Sequence, residues 1–353
     1  MTDLKGKDYI ETQDLSLDEL GHLLAVASDL KAKFHRGEPT LLLPRQTAYL
    51  LFFDKSTRTR NAFEAGMTQL GGHAHFLDAD VTQISHGETP ADTGKILAAM
   101  GHGICVRHDL VLGEGNSYMR AMADAANVPV INMQCDVDHP TQTLADLMTI
   151  REKFGDDLSG LKIAVSWAYA PSYAKPLSVP QGLISLMTRF GMHVTLAHPP
   201  GYDLIDRTVA GAKQHAAASR GRFEIVDDLD AAFENADIVY PKSWGVYDLM
   251  LARQAAKTEA EIDDNQQACL ARNDQHKDWI CDDRRMALAK TGAVYMHCLP
   301  ADRGTEVTDS VIDGPQSIVF EEAENRLHTA KAIMACTMRE RPFSPRMAEP
   351  THG

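Results

Sequence analysis

The sequence predicts an α/β protein built from two doubly wound parallel-sheet domains. Its 353 residues are enough for two domains with proper cores. In both halves, short apolar runs typical of buried strands alternate with helical patterns, as a parallel sheet requires. A cluster of turn residues, 155–160, separates the halves. We expect a first domain of residues 1–150 joined by 326–353, and a second domain of residues 151–325.

Composition excludes several classes of function. A net charge of −14 repels nucleic acid and anionic membrane, so neither is expected as a partner. The six cysteines form no C-x-x-C pair, which argues against a disulfide framework and a structural zinc site. No segment has the length and apolarity of a signal peptide or a membrane span. The sequence therefore predicts a cytoplasmic protein.

The first half opens with a helix and a strand that lead to a candidate anion site. Residues 16–19 read as a capping box before an amphipathic helix, and 49–53 as a buried strand. Residues 56–59 fall where that strand gives way to a second helix. Free backbone N–H groups and the helix dipole favour an anion there, and hydroxyls and arginines bind phosphate oxygens. The alternative is an N-cap residue followed by two solvated arginines.

Further strands of the first half end in polar residues. Residues 75–77 and 128–132 read as strands, and Thr89 and Pro90 as the start of a helix. The strand 103–107 ends in Arg107, which is either a surface residue or a ligand group at the carboxyl edge of the sheet.

His139 precedes Pro140 at the start of a helix predicted over 141–154. A histidine at such a helix entry is often tied to backbone. At a ligand edge, however, its imidazole could polarise a carbonyl oxygen, and Gln142 could hold an adjacent amide nitrogen.

The second half repeats the alternation. Strands are predicted at 161–168, 192–197, 223–226, 236–240, 293–300 and 317–320, and the closing helix runs through Met338 to a frayed tail. No G-x-G-x-x-G follows the first of these strands, so a dehydrogenase is disfavoured. Prolines at 171, 176 and 180 predict a stiff, extended loop. Residues 247–290 are polar and helical, and could form a lid, a threaded segment or an interface.

Three motifs carry a resemblance to a known family. The pattern Ser-x-Arg-Thr-Arg at 56–60, His-Pro-Thr-Gln at 139–142 and His-Cys-Leu-Pro at 297–300 resemble motifs of the aspartate and ornithine carbamoyltransferases, in the same order. The resemblance covers nearly the whole chain. It implies the carbamoyltransferase fold and transfer of a carbamoyl group from carbamoyl phosphate to an amine, with no metal or organic cofactor.

The resemblance also implies residue roles. The catalytic residues would be Arg58, Arg107, His139 and Gln142. Carbamoyl phosphate would be bound by Ser56, Thr57, Arg58, Thr59, Gln83, Arg107, His139, Gln142, Cys298 and Arg326. The acceptor would be bound by Lys242, Ser243, Trp244, Cys298 and Leu299. Gln83 would reach a neighbouring subunit, so the family implies a homotrimer with shared active sites.

Two features indicate a branch of the family. The proline-rich loop is similar to that of the knotted, YgeW-type and acetylornithine-type members, which implies a trefoil knot in the second domain. Lys242 stands where ornithine enzymes have an aspartate for the acceptor's α-amino group. A cation there favours an N-blocked ornithine or a diamino or ureido acid. Ornithine and a catalytically idle carbamoyl-phosphate-binding protein remain alternatives, and the direction of reaction stays open.

Overall fold

The computed structural model describes residues 3–109, 111–173 and 175–338. Its first half contains a four-stranded parallel sheet in the order β2-β1-β3-β4. The strands are β1 (Thr47–Phe52), β2 (His73–Asp78), β3 (Gly103–His108) and β4 (Val130–Cys135). β4 is buried along its whole length, and its two polar residues are hydrogen-bonded, Asn132 to the Ile10 carbonyl and Gln134 to the Ser178 hydroxyl.

Five helices cover this sheet: α1 (Leu17–His35), α2 (Arg58–Gln69), α3 (Pro90–Met100), α4 (Gly115–Ala125) and α5 (Pro140–Phe154). The predicted helix starts are confirmed. Ser16 and Glu19 form the capping box of α1, and Thr89 accepts from the Asp92 N–H at the start of α3.

The second half contains a five-stranded parallel sheet in the order β7-β6-β5-β8-β9. Its strands are β5 (Lys162–Trp167), β6 (His193–Ala197), β7 (Arg222–Val226), β8 (Ile238–Lys242) and β9 (Val294–Tyr295). Its helices are α6 (Ser178–Met187), α7 (Asp206–Ser219), α8 (Leu229–Phe233), α9 (Tyr247–Ala255), α10 (Glu259–Asn273), α11 (Asp283–Met286) and α12 (Asp309–Ile312).

The closing helix α13 (Val319–Thr337) packs against α1, α2 and α5 of the first half. This packing supports the division into residues 1–150 with 326–353 and residues 151–325, which stays a prediction. The predicted tail from Arg339 onward lies outside the described residues.

Three predicted elements were wrong in extent or kind. The strand at 317–320 does not form, because α13 already begins at Val319 and only Ser317 makes an isolated bridge, to Tyr295. β9 has two residues, so most of 293–300 is irregular backbone. The proline-rich loop ends at Leu177, since Pro180 lies in the first turn of α6, where a proline is tolerated.

No helix among the described residues is long and apolar enough to cross a membrane.

Candidate active site

The two sheets meet at a cavity of about 440 Å³. In the first sheet the strand order reverses direction between β1 and β3, and in the second between β5 and β8. Ligands of open α/β sheets bind at such switch points, beyond the carboxyl ends of the strands. The segments that follow β1, β4 and β5 contribute residues here, as do Arg107 near the end of β3 and Lys242 at the end of β8. The cavity is lined by Lys55, Ser56, Thr57, Arg58, Thr59, Arg107, Gln134, His139, Gln142, Lys175, Pro176, Val179, Lys242, Cys298, Leu299, Pro300 and Arg326.

The start of α2 forms one wall. β1 ends at Phe52 and α2 begins at Arg58, as predicted, which brings residues 55–59 to the cavity. Thr57 is the N-cap residue, but its side chain makes no capping hydrogen bond. The hydroxyl and the first N–H groups of the helix are therefore available to an anion.

Three arginines converge on the same wall. The Nε atoms of Arg58 and Arg107 are buried and have no hydrogen-bond partner among the described residues. Burial lowers the pKa of Arg58, and burial together with the charges of Arg58 and Arg107 lowers the pKa of Arg326 to about 10. Arg107 Nη2 lies 3.0 Å from Asp109 Oδ2, and Arg326 Nη2 donates to Thr59 Oγ1. Buried guanidinium groups that repel one another indicate a site built for an anion.

His139 is the N-cap residue of α5 and is buried. Its pKa is held well below the usual value, first by burial and then by Arg326, Arg107 and Arg58. The imidazole is therefore neutral at pH 7. Its Nδ1 lies 3.3 Å from Thr141 Oγ1. A neutral imidazole carries one N–H, which can donate to a ligand carbonyl without adding charge.

Gln142 lies in the first turn of α5 and is completely buried. Its Nε2 donates to Asp146 Oδ1 at 2.7 Å and to Glu322 Oε1 at 3.0 Å. Sequence reasoning missed both carboxyl groups. A signal existed for Asp146, which stands four residues after Gln142 and so shares its helix face.

The His-Cys-Leu-Pro segment closes the cavity from the second half. Leu299 has a φ of 52°, an uncommon value for a non-glycine residue, and its N–H donates to His297 Nδ1 at 2.8 Å. Burial raises the pKa of Cys298 to about 11, so its thiol is protonated at pH 7. Cys298 therefore lines the cavity as a neutral thiol and not as a reactive thiolate.

Lys242 is a buried cation that forms an ion pair, which the sequence did not reveal. It is 7% exposed, and its Nζ lies 3.4 Å from Oε1 of the fully buried Glu306. Burial lowers the pKa of Lys242, but the neighbouring acidic groups, with Glu306 first among them, together outweigh burial and leave that pKa raised. Glu306 also accepts from the N–H groups of Ser243 and Asp302, each at 2.7 Å. Nothing in the sequence marked Glu306, because it follows an irregular loop.

Lys175 is a second cation that the motifs did not reveal. It lies in the proline-rich loop, lines the cavity beside Lys242, and pairs with Asp302 at 2.8 Å.

Three predicted site residues do not line this cavity. Trp244 is buried in the second half, where its Nε1 donates to the Tyr202 carbonyl at 2.8 Å. Ser243 is buried beside it, and its Oγ has no partner among the described residues. Gln83 is exposed in the 3₁₀ turn 83–86. The geometry of one chain therefore supports no acceptor contact by the side chains of Ser243 and Trp244.

Among the described residues, one group has the geometry to hold a metal ion. Its members are His35 of α1 with Glu324 and His328 of α13, whose ligand atoms lie within 4.8 Å of one another. None of the three lines the cavity.

An anion site of three arginines, a neutral histidine and a glutamine at the junction of two parallel sheets defines a carbamoyltransferase. The chain belongs to the aspartate/ornithine carbamoyltransferase family. Residues 7–152 match the family's carbamoyl-P binding domain, and residues 176–337 match its Asp/Orn binding domain.

Three similar proteins place the chain within the family. It is 42% identical to the putative carbamoyltransferase YgeW of Escherichia coli strain K12, covering 96% of this chain and 91% of that protein. It is 35% identical to the structure of ornithine carbamoyltransferase from Pyrococcus furiosus, with a TM-score of 0.81. The match covers 96% of this chain and 99% of that one. It is 34% identical to a structure of acetylornithine transcarbamylase complexed with acetylcitrulline, with a TM-score of 0.83. The match covers 95% of this chain and 100% of that one.

Proposed function

We propose that the enzyme moves a carbamoyl group between carbamoyl phosphate and the amine of an amino-acid-like acceptor whose α-amino group is blocked or absent. N-acylated ornithine and diamino or ureido acids belong to this class. One observation carries the proposal. Among the described residues, the cavity is lined by six cations and by no carboxylate: Lys55, Arg58, Arg107, Lys175, Lys242 and Arg326.

The acceptor end of the cavity argues against a free α-ammonium group. The ammonium groups of Lys175 and Lys242 lie in the cavity wall, whereas their partners Asp302 and Glu306 do not line it. An acceptor ammonium would therefore meet two like charges, while a carboxylate or an acyl oxygen would find donors. The acetylornithine transcarbamylase complexed with acetylcitrulline, an N-acylated ureido compound, supports this choice.

In this proposal the phosphate binds at the start of α2. Ser56, Thr57 and Thr59 donate hydroxyl hydrogens, and Arg58 and Arg107 donate guanidinium N–H groups, since their Nε atoms have no partner among the described residues. These contacts strengthen as negative charge builds on the departing phosphate, so they stabilise the transition state.

The carbonyl oxygen of carbamoyl phosphate would lie between Arg58, Thr59 and the neutral His139, with Gln142 at the carbamoyl nitrogen. A neutral acceptor amine attacks the carbonyl carbon. A C–N bond forms, the C–O bond to phosphate breaks, and the amine proton leaves to phosphate or to water. The reverse reaction, phosphorolysis of a ureido compound, uses the same contacts, so the direction stays open.

We also infer three properties of the whole protein. The exposed Gln83 is free to reach a neighbouring subunit, as a homotrimer with shared sites requires. The proline-rich loop is bonded by three later segments, which supports a threaded, knotted chain: Gly245 N donates to Lys175 O at 3.0 Å, Tyr169 N to Trp279 O at 2.8 Å, and Lys175 pairs with Asp302. Six free cysteines, five of them buried, support a reducing, cytoplasmic location.

Ornithine is the second candidate acceptor. The likeness to the Pyrococcus furiosus ornithine carbamoyltransferase and the His-Cys-Leu-Pro segment favour it. In that case the α-ammonium group would have to bind without a carboxylate in the described cavity wall.

The test is formation of ureido product from carbamoyl phosphate across a panel of amines. The panel contains ornithine, N-acetylornithine, N-succinylornithine, 2,3-diaminopropionate, putrescine and aspartate, with phosphorolysis of the matching ureido compounds beside it. We expect turnover of an N-blocked amine or of a ureido acid. Efficient turnover of ornithine would contradict the proposal. Binding of carbamoyl phosphate without any turnover would favour an idle binding protein.

A further inference from the structure

The Gln142 side chain has one polar atom left for a ligand. Its Nε2 is taken up by Asp146 and Glu322, whereas its Oε1 is buried and has no partner among the described residues. Gln142 lines the cavity and is 0% exposed. A buried acceptor without a donor costs free energy until a ligand supplies one. The ligand group that fits is therefore an N–H donor.

The two carboxyl groups behind Gln142 act as a unit. Asp146 and Glu322 are both 0% exposed, and both accept from the same amide nitrogen. Because they share one donor, the two carboxyl groups lie close together. Two buried carboxylates so close cannot both be ionised, so the pair retains a proton near neutral pH. Burial raises the pKa of Asp146 to about 7 and, with the Asp146 charge, raises the pKa of Glu322 well above its usual value.

Neighbouring groups fix the position of the pair. The Tyr240 hydroxyl donates to Glu322 Oε1 at 3.0 Å, and the His297 N–H donates to Glu322 Oε2 at 2.9 Å. Asp146 belongs to α5, Glu322 to α13 and Tyr240 to β8, so both halves of the molecule hold the pair. The nearby cation is Arg326, which favours the ionised form of Asp146.

We propose that Asp146 and Glu322 are positioning residues that fix the Gln142 amide with its oxygen towards the cavity, where it accepts an N–H of the carbamoyl group. This inference rests on the proposed function. A glutamine amide has two orientations of nearly equal shape, one presenting oxygen and the other presenting NH₂. A pair of carboxyl groups with one proton offers mainly acceptors, so it binds the NH₂ and leaves the oxygen to the ligand.

The consequence is selectivity for carbamoyl phosphate over acetyl phosphate. Acetyl phosphate has a methyl group where carbamoyl phosphate has NH₂, and a methyl group leaves Gln142 Oε1 without a donor. Sites built to hydrogen-bond a ligand N–H reject an analogue that lacks it. The expected preference is about tenfold or more.

The experiment measures the Kd of carbamoyl phosphate, acetyl phosphate and inorganic phosphate by calorimetry for the full chain. The variants are Gln142→Leu, Asp146→Leu, Glu322→Met and Asp146→Asn. We expect the leucine and methionine variants to lose the preference for carbamoyl phosphate, as Gln142→Leu does, while phosphate still binds. Asp146→Asn retains the preference, because its amide oxygen accepts from Gln142 and its NH₂ group donates to Glu322, in place of the proton that the pair shares.

The outcomes separate this inference from the proposed function. If Asp146→Leu or Glu322→Met folds with lower stability but keeps the wild-type preference, the pair is merely structural and the inference falls. If the wild-type protein binds both acyl phosphates equally, the inference falls and the proposed function stands. If the wild-type protein binds neither acyl phosphate nor phosphate, both fall. Asp146→Leu and Glu322→Met each disrupt the pair, so a result from either variant that folds is enough to test the inference.

Discussion

Arg58 and Arg60 lie two residues apart on α2, so they face different sides of the helix and have different surroundings. Arg58 lines the cavity, and its Nε is buried without a partner among the described residues. Arg60 Nε donates to Glu64 at 2.8 Å, and its guanidinium lies 3.7 Å from the centre of the Phe76 ring. Two arginines in one turn do not differ in local pattern, so the sequence distinguished them only through the family resemblance.

Arg58→Leu is expected to lower kcat/KM by roughly 10²–10³ or more, because it removes charge stabilisation of the departing phosphate. Arg60→Leu, the matched control, is expected to lower it less than tenfold. Steady-state kinetics with carbamoyl phosphate as the varied substrate measures both. Equal losses in the two variants would show that Arg58 has no special contact with the substrate.

His139 is expected to remain neutral well below pH 6.5. Burial and the charges of Arg326, Arg107 and Arg58 oppose its protonation, so its pKa is lowered. Lowering the pH from 7 to 6 should therefore not charge this imidazole in the folded protein. The ¹⁵N shifts of its ring, assigned with a His139→Asn variant, measure this directly. A ring that titrates near pH 6.5 would contradict the assignment of His139 as a neutral donor.

At the scale of elements, α5 and α6 approach closely at Gly182. A Cβ at this position would lie 2.4 Å from Thr143 Oγ1 and 2.6 Å from Asp138 Oδ1. These atoms belong to α5 and to the segment before it, next to Gln142 and His139. Glycine at this crossing therefore sets the distance between a helix of the second half and the catalytic helix of the first.

Gly182→Ala is expected to lower the free energy of unfolding by about 1–3 kcal/mol, because overpacking outweighs alanine's higher helix propensity. Gly211→Ala on α7 is the control, since its nearest atom would be His215 Cε1 at 4.0 Å. Without a clash, alanine there should stabilise by up to about 1 kcal/mol. Urea denaturation compares the two. A Gly182→Ala variant as stable as Gly211→Ala would mean that the helices separate without cost.

The strand β8 and the loop after β9 are joined by the buried Lys242–Glu306 pair. Glu306→Gln leaves the Lys242 charge without its partner, and breaking such a pair costs about 3–5 kcal/mol. We expect a loss of that order in urea denaturation at pH 7. Replacing both residues by methionine should recover only part of it, because no unpaired buried charge remains but the N–H groups of Ser243 and Asp302 lose their acceptor.

The pH dependence of this pair has a definite sign. Burial raises the pKa of Glu306, but Lys242 and His297 outweigh burial and hold that pKa well below its usual value. The stabilisation is therefore present above the unfolded carboxyl pKa and is lost only as the pH falls through the lower folded value. Asp313→Asn, which disrupts an exposed ion pair with Arg303, should have a much smaller effect. An equal loss of stability in Glu306→Gln and Asp313→Asn would contradict the prediction that the buried ion pair contributes more than the exposed one.

At the scale of the whole molecule, the proposed trimer with shared active sites predicts complementation between defective subunits. Arg58→Leu removes a group of one subunit's own site, and Gln83→Asp would place a negative charge at the site of its neighbour. Trimers refolded from both inactive variants should regain part of the wild-type activity, because some sites then receive Arg58 and Gln83 from different chains. Trimers of either variant refolded alone are the controls, and light scattering checks for three 38.8 kDa chains. Absence of recovery in confirmed mixed trimers would contradict a shared site.

The sequence by itself determined the two parallel sheets, most helix starts and the strand-to-helix turn at residues 56–59. These features depend on local chemistry: apolar runs of strand length, a capping box, Pro90 and Pro140 at first helical positions, and hydroxyls with arginines at a helix start. Each of these features depends on residues that are close in sequence, so it can be predicted without knowing the tertiary structure. The same reading failed at 317–320, where the apolar run Ile318–Phe320 suits the start of a helix as well as a strand.

The tertiary structure alone decided the state of the charges. Lys242 is separated from Glu306 by 64 residues and Gln142 from Glu322 by 180, so no local pattern reveals either contact. The sequence therefore identified Lys242 as a cation but did not reveal the buried carboxylate with which it pairs. Whether a polar group is exposed, paired or left open to a ligand depends on what folds against it, because burial and neighbouring charge, rather than residue type, fix its protonation and its available hydrogen bonds.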